Sequence, residues 1–299
     1  MLTIKNLTKH YFDDLKRTQK TAIKDLSIEF HTSKTTAILG HNGAGKTTLI
    51  RMILGLAFPT HGSILLDGRP IGLKDRQRLG YLPEADHLNL QLTPREILTH
   101  HLQLFRPLHP RIKDTVQSTL IKTDLIHHAD RKANLLSKGQ RRRVAWSQSM
   151  IHDPDILILD EPFSGLDPHG RSDMSRWIHE AKTHNKTIIL CTHDTKLAHV
   201  LCDHCLIMQS GFCIWDSSRY TQKHYVLELQ DLPKGSLPSP LHRTQNGSHH
   251  TYVWDCSSDA YTWLNACQLQ NIDIQSFTVD KLPLDYGEKS YFKPKESLL

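Results

Sequence analysis

The stretch Gly40-His41-Asn42-Gly43-Ala44-Gly45-Lys46-Thr47-Thr48 decides how this chain of 299 residues is read. It fits the pattern G-x-x-x-x-G-K-[ST]. Apolar, strand-like Ala37, Ile38 and Leu39 precede it, and a helical run from Leu49 to Leu56 follows. Glycines let a backbone fold around an anion, with successive N–H groups pointing inward and the positive end of the next helix behind them. Lys46 can reach the β and γ oxygens of a bound triphosphate as a point charge, and the Thr47 hydroxyl can take one place on Mg²⁺.

A second stretch narrows the chemistry. Ile156 to Pro162 reads ILILDEP, a strand apolar on both faces that ends in two acids. Asp160, at the strand end, is placed to hold Mg²⁺ through its water shell. Glu161 starts from the same edge and can polarise a water facing the γ-phosphate as a general base.

Composition sets the limits. Charged residues are 23% and hydrophobic residues 38%, ordinary values for a globular protein. The length suits a domain of about 200 residues plus a small one. No apolar run approaches the ~18 residues that span a bilayer, and the start, MLTIKNLTKHYF, lacks the apolar core of a secretory signal. A cytoplasmic location is expected, with any membrane role exercised through a separate membrane-spanning partner. The formal charge of +6 permits anionic partners without demanding them. The 21 histidines are scattered and mark no site by their number. The six cysteines lie between 191 and 267, and Cys202-Asp-His-Cys205 has only half the spacing of a metal knuckle. Buried thiols are the expected reading.

Along the chain, Ile4 to Leu7 and Leu26 to Phe30 read as strands around a polar excursion, Asp13 to Lys20. Ile64 to Leu66 and Gly80 to Pro83 read as further strand segments. Periodicity turns helical from Thr93 to Ile126, with Thr93-Pro94-Arg95-Glu96 a good helix start. A helix is expected over Gly139 to Ile151, another over Gly170 to His184, a strand over Thr187 to Cys191, and a last strand-turn element over Leu206 to Ile214. The expected fold is α/β: a cassette over 1–218, with a helical subdomain at about 85–150. A small α+β appendage covers 219–299. In the appendage, Tyr225 to Leu229, Thr251 to Trp254 and Ile272 to Val279 read as strands and Asp259 to Leu269 as a short helix. Pro233 to Ser248 reads as a loop or linker, and the last ten residues as loosely held.

Four further pieces sit in order around the two motifs: Leu136-Ser137-Lys138-Gly139-Gln140, Ser164-Gly165-Leu166-Asp167-Pro168, Thr192-His193-Asp194, and Tyr11 closing Leu7-Thr8-Lys9-His10-Tyr11. Together they resemble the ATP-binding subunits of ABC transporters, most closely exporters of the ABC-2 type, over residues 1 to about 216. The resemblance implies an ATPase that binds ATP and Mg²⁺. Tyr11 would stack on adenine. Gly40, Asn42, Gly43, Ala44, Gly45, Lys46, Thr47 and Thr48 would hold the phosphates and the metal. Asp160 would hold the metal, Glu161 would act as base, and His193 would contact the γ-phosphate. Ser137, Gly139 and Gln140 would complete the site of a second copy, with Asp167 crossing the interface, so the expected partners are a homodimer mate and a permease.

The sequence departs from the family pattern at several points. Glu84 stands where the family often has Gln, near the metal and a permease contact. Lys138 replaces the first glycine of LSGGQ, Ser33-Lys34 replaces the usual Gly-Glu, and extra residues separate Tyr11 from Ala22. Arg141 to Arg143 read as a solvated helix face rather than a nucleic-acid patch. Trp146, Met150 and Trp177 read as packing residues. Transport, of the export kind by resemblance alone, competes with a soluble ABC-type ATPase acting on ribosomes or nucleic acid and with a nucleotide switch of little turnover. The single cassette and the short span from Glu84 to Leu136 favour transport, because that span holds no sustained heptads.

Overall fold

The computed structural model describes residues 1–13, 18–216, 224–229, 242–246, 249–254, 263 and 274–280. The chain divides into two compact units, Met1–Ile214 and Trp215–Leu299.

The first unit is built on two sheets. An antiparallel sheet has the order β2-β1-β4-β5, formed by Thr18–Phe30, Leu2–Asp13, His61–Leu66 and Arg69–Pro70. The second sheet runs β10-β9-β3-β8-β7-β6: Phe212–Asp216, His204–Gln209, Thr35–Leu39, Thr187–Thr192, Ile156–Asp160 and Leu79–Leu82. From β9 to β6 its neighbours pair parallel. All residues of β3, β7 and β8 are buried, as expected for strands covered on both faces.

One face of the parallel sheet shares a core with the antiparallel sheet and helix α1 (Lys46–Ile53), through Ile38, Leu49, Ile158 and Ile189 among others. The opposite face packs Leu157, Leu159 and Leu190 against helices α4 (Lys138–Met150) and α5 (Pro168–Thr183). There Trp146 and Trp177 stack with centroids 5.6 Å apart, so their helical spacing does mark packing. A third core joins helices α2 (Pro94–Phe105) and α3 (Ile112–Lys122) to α4 through Leu98, Leu120 and Val144. Helix α2 begins as its sequence predicts: Thr93 Oγ1 accepts from Glu96 N, and Glu96 answers on Thr93 N.

Strand register positions the chemistry. Leu39 at the end of β3 pairs with Thr192, and Cys191 pairs with Asp160 at the end of β7. The segments that follow these strands therefore emerge at one edge of the sheet, the carboxyl edge where ligands of open α/β sheets bind.

The structure corrects several expectations. Within the polar excursion Asp13 to Lys20, the described residues are paired strand: Asp13 pairs with Thr18, and beside them Phe12 pairs with Gln19 and Tyr11 with Lys20. The single helical stretch Thr93 to Ile126 is two helices separated by Arg106 to Arg111. A short helix α6 (Thr195–Leu201), not expected from the sequence, starts at Asp194, whose side chain accepts from Leu197 N. In the second unit the sheet order is β12-β13-β11-β14: His242–Asn246, His249–Trp254, His224–Leu229 and Ile274–Asp280. Its strand β12 lies inside the stretch read as a loop, Pro233 to Ser248. HRTQN is polar throughout, yet an edge strand needs only backbone pairing, here His242 opposite Val253. The helix expected at Asp259 to Leu269, Trp263 apart, and the last ten residues lie outside the described residues.

Candidate functional site

The segment Gly40 to Gly45 turns from β3 into α1. Gly45 has φ +109, and a Cβ there would stand 2.7 Å from the Ala22 carbonyl oxygen, so only glycine fits. Gly43 has φ +85 and faces open space. No side chain caps α1, so its first N–H groups are left without a side-chain acceptor and are free to meet an anion. The buried Lys46 ammonium donates to the Gly40 carbonyl at 2.5 Å and the His41 carbonyl at 3.3 Å. Ala44 is buried beneath the turn.

This turn opens on a pocket of about 660 Å³. Asn42, Gly43, Gly45, Lys46, Thr47 and Thr48 line it from the loop, and Tyr11 lines it from β1. Glu84, Asp160 and Glu161 close it from the far side. Lys20, Thr21 and Ala22, which carry no motif in the sequence, also line it, because the hairpin register sets Lys20 opposite Tyr11. Lys9 holds its ammonium 4.9 Å from the Tyr11 ring centroid.

The acids differ in setting. Asp160 is buried, and burial first, then the charges of Glu84 and Glu161, push its carboxyl up to about 6, with Lys46 and Arg142 opposing. Glu161 has left-handed backbone, φ +44, a strained conformation for a non-glycine residue that clusters at functional sites. Its Oε1 accepts from His193 Nδ1 at 2.9 Å and its Oε2 from Thr192 Oγ1 at 3.3 Å. The His193 side chain is 72% exposed, so the ring reaches outward from this buried anchor.

The donor set here is all oxygen: the Thr47 hydroxyl and the Asp160 and Glu84 carboxylates. That suits a hard cation such as Mg²⁺, and a cation would relieve the like charges that raise Asp160. Among the described residues no group of three or more His, Cys, Asp or Glu stands at metal-holding spacing. Mg²⁺ in such loops takes phosphate and water oxygens as well, so Thr47 and Asp160 need not form a closed cage.

The remaining predicted residues gather elsewhere. A second pocket of about 260 Å³ is lined by Ser137, Gly139 and Gln140 at the start of α4 and by Asp167 at the start of α5. Among the described residues it shares no lining residue with the first. Ser137 Oγ accepts from Gln140 N at 3.2 Å, and Gln140 Oε1 accepts from Ser137 N at 2.9 Å. Asp167 caps α5 by accepting from Gly170 N at 2.7 Å. The Lys138 ammonium lies directly on Gly165, where the family pattern would have placed no side chain.

The expectation of a solvated face for Arg141 to Arg143 is corrected at its centre. Arg142 is 3% exposed. Its guanidinium donates to the carbonyls of Pro83, Glu84, Glu161 and Pro162 and pairs with Asp86 at 3.0 Å. It lines the second pocket and fastens the backbone of two residues of the first. The signal was present: Arg142 falls in step with buried Ala145, Trp146 and Ser149 on one helix face.

Comparison with known proteins agrees with this arrangement. The family model for the ABC transporter matches residues 23–164. The Nod factor export ATP-binding protein I of Rhizobium meliloti is 36% identical over 213 residues, covering 70% of this chain. The chain spans 62% of that relative's length. The protein of the same name from Burkholderia orbicola is 35% identical over 213 residues, which cover 70% of this chain and 68% of the relative. Among solved structures, an ATP binding subunit of an ABC transporter superposes with a TM-score of 0.65 at 26% identity, covering 72% of this chain and 89% of that one. A dimeric ATP-binding cassette in a post-hydrolysis state bound to ADP and Pi has the same fold, with a TM-score of 0.67 at 23% identity over 72% of this chain and 97% of that one. With its phosphate-loop turn, buried acidic strand end and paired helix starts, the chain belongs to the ABC transporter family as one of its ATP-binding cassettes.

Proposed function

We propose that this chain hydrolyses ATP as the energising subunit of a membrane exporter, of the ABC-2 kind, assembled as a homodimer on a separate permease. The cassette is assigned to 1–218 with its helical part at about 85–150, and 219–299 to an accessory region. One observation carries the reading: the two groups of site residues occupy separate pockets of one chain. A head-to-tail pair of copies would join the loop pocket of each to the Ser137–Asp167 pocket of the other.

In this reading Gly40 to Thr48 cradle the phosphates and Lys46 leaves its loop carbonyls for the β and γ oxygens. Tyr11 stacks on adenine. Thr47, Asp160 and Glu84 would hold Mg²⁺, which when bound would supply charge neutralisation at the phosphates. Glu161, fixed by His193 and Thr192, takes a proton from the attacking water, and His193 extends to the γ-phosphate. Ser137, Gly139 and Gln140 present the start of α4 to the partner's triphosphate, and Asp167 crosses the interface. ATP favours closure because it adds contacts found only in the closed pair, and hydrolysis removes them.

Among the described residues no helix is long and apolar enough to cross a membrane. A permease partner and a peripheral position on the cytoplasmic face of the membrane follow from the proposal. The segment from Glu84 to Leu104 would face that permease. The competing reading, action on ribosomes or nucleic acid, finds little support in Arg141 to Arg143. Arg142 is buried, Arg143 pairs with Asp124 and Asp173, and Arg141 donates to the Leu136 carbonyl.

The test is Glu161→Gln in the full chain. The variant should bind ATP, form a dimer in sedimentation and nearly cease turnover. A monomer at saturating ATP would overturn the head-to-tail reading. Co-purification from membranes with a multi-helix partner tests the transport role.

A further inference from the structure

The Gln140 amide is read unambiguously by its neighbours. Ser137 N can only donate, so the oxygen of Gln140 faces it, at 2.9 Å. The amide nitrogen then faces His128, whose Nε2 lies 2.8 Å away. Because that nitrogen donates, His128 Nε2 must carry a lone pair, which fixes the ring as the neutral Nδ1–H form.

From this we infer that His128 is a positioning residue for the start of α4, holding the Gln140 amide in the orientation that closes the Ser137 cap and failing to do so once protonated. The inference rests on the head-to-tail reading for its effect on ATP-driven closure. His128 ends the short 3₁₀ turn Ile126–His128 and lies half-buried in the second pocket. A proton on Nε2 would set N–H against N–H₂. Turning the amide over would satisfy His128 and break the bond to Ser137 N. Either outcome loosens the cap at the helix end that would meet the partner's triphosphate.

The other charged and titratable groups facing this corner are Asp124, Arg142, Arg143, Asp167, His169 and Asp173. Arg143 is engaged with Asp124 at 2.8 Å and Asp173 at 2.7 Å, and Arg142 with Asp86. Asp167 is engaged with Gly170 N. None of these groups bonds to Gln140, whose side chain is engaged with Ser137 N and His128.

The test compares Glu161→Gln with Glu161→Gln/His128→Gln in the full chain, as ATP-dependent dimerisation from about pH 8 to about pH 5.5. An amide oxygen at position 128 accepts at any pH. The two proteins should dimerise alike at the alkaline end. At the acid end the protein retaining His128 should bind its mate about tenfold more weakly than the double variant. A ratio that stays constant across the interval overturns the inference, since His193 and the other histidines are common to both. Nitrogen-15 spectra of the His128 ring, assigned by difference, decide the point without the dimer. The Nδ1–H form is expected, and an Nε2–H form overturns the inference even if closure occurs. Failure of both proteins to dimerise at any pH, with ATP still bound, would instead remove the head-to-tail reading.

Discussion

The two pockets of the cassette meet anions in opposite ways. In the loop pocket the helix start is bare: α1 has no side-chain cap, its turn needs glycine at left-handed angles, and an ammonium lies buried beside it. In the second pocket both helix starts are closed by side chains, Ser137 on α4 and Asp167 on α5. A bare start offers several N–H groups to a phosphate and can grip it alone. A capped start has already satisfied part of its donors and keeps only its exposed first turn and its dipole. On the proposed head-to-tail reading, the first pocket would hold the phosphates and the second would recognise what its partner already holds.

The largest effect is expected from Glu161→Gln. Loss of a positioned base costs ~10²–10⁴ in rate, so steady-state turnover should fall about a thousandfold while ATP affinity stays near normal. Turnover within a few-fold of normal would remove Glu161 from the role of base and leave the loop pocket as a binding site only.

Arg142→Ala comes next, because it cuts the tie between the pockets. Removing one partner of a buried ion pair costs ~3–5 kcal/mol, and here the carbonyls of Pro83, Glu84, Glu161 and Pro162 lose their donor as well. Chemical denaturation should show a loss of about 3 kcal/mol or more. A loss under ~0.5 kcal/mol, typical of a surface change, would mean that the arginine is solvated after all and would reopen a nucleic-acid role for this face.

Lys46→Ala and Gly139→Asp separate holding from recognition. The first should weaken ATP binding by about 30- to 100-fold, the worth of ~2–3 kcal/mol from charge-assisted bonds. The second places a carboxylate at the start of α4, where a Cβ has room but a negative charge opposes a phosphate. It should leave ATP affinity of the single copy unchanged and prevent closure. Mixed together, the two inactive variants should regain up to about a quarter of normal turnover, since half the pairs would hold one sound composite site. No recovery in the mixture would mean that the pockets do not complement each other across copies.

Much of this was legible because it is local. The loop, the acidic strand end and the LSKGQ start each carry their chemistry within a few residues, and a buried parallel strand such as ILILD announces itself by apolar continuity. What was hidden depends on distant pairing. Lys20 and Thr21 reach the loop pocket only through the hairpin register, and their polar run resembles a loop. Strand β12 has no apolar alternation to betray it. Arg142 was misread because charge in a basic triplet outweighed its place on the buried face of α4. Separation of the two pockets is likewise a property of the folded chain, since Ser137 and Asp167 lie on either side of Asp160 and Glu161 in sequence.

The smallest effect concerns a place that belongs to neither pocket. His101 on α2 meets His152 at 3.2 Å, and His152 Nε2 reaches the Leu79 carbonyl on β6 at 3.0 Å, so the pair ties the helical part to the sheet beside a separate cleft of about 360 Å³. Burial first, then the neighbouring His152, lowers His101 from 6.5 to about 4, and burial also lowers His152. A histidine whose folded value is depressed binds fewer protons folded than unfolded, so it contributes stability above the unfolded value that is lost as pH falls toward the folded one. Between pH 6.5 and about 4 the protein should thus lose about 2–3 kcal/mol from His101, several degrees in melting temperature. His101→Gln should flatten that part of the melting profile and leave ATP binding at neutral pH unaltered. If the acid slope were the same in both proteins, the acid sensitivity would reside in other histidines. A change in ATP affinity at neutral pH would instead show that the tie between α2 and the sheet reaches the loop pocket, and the contrast between the pockets would then extend to the helices that frame them.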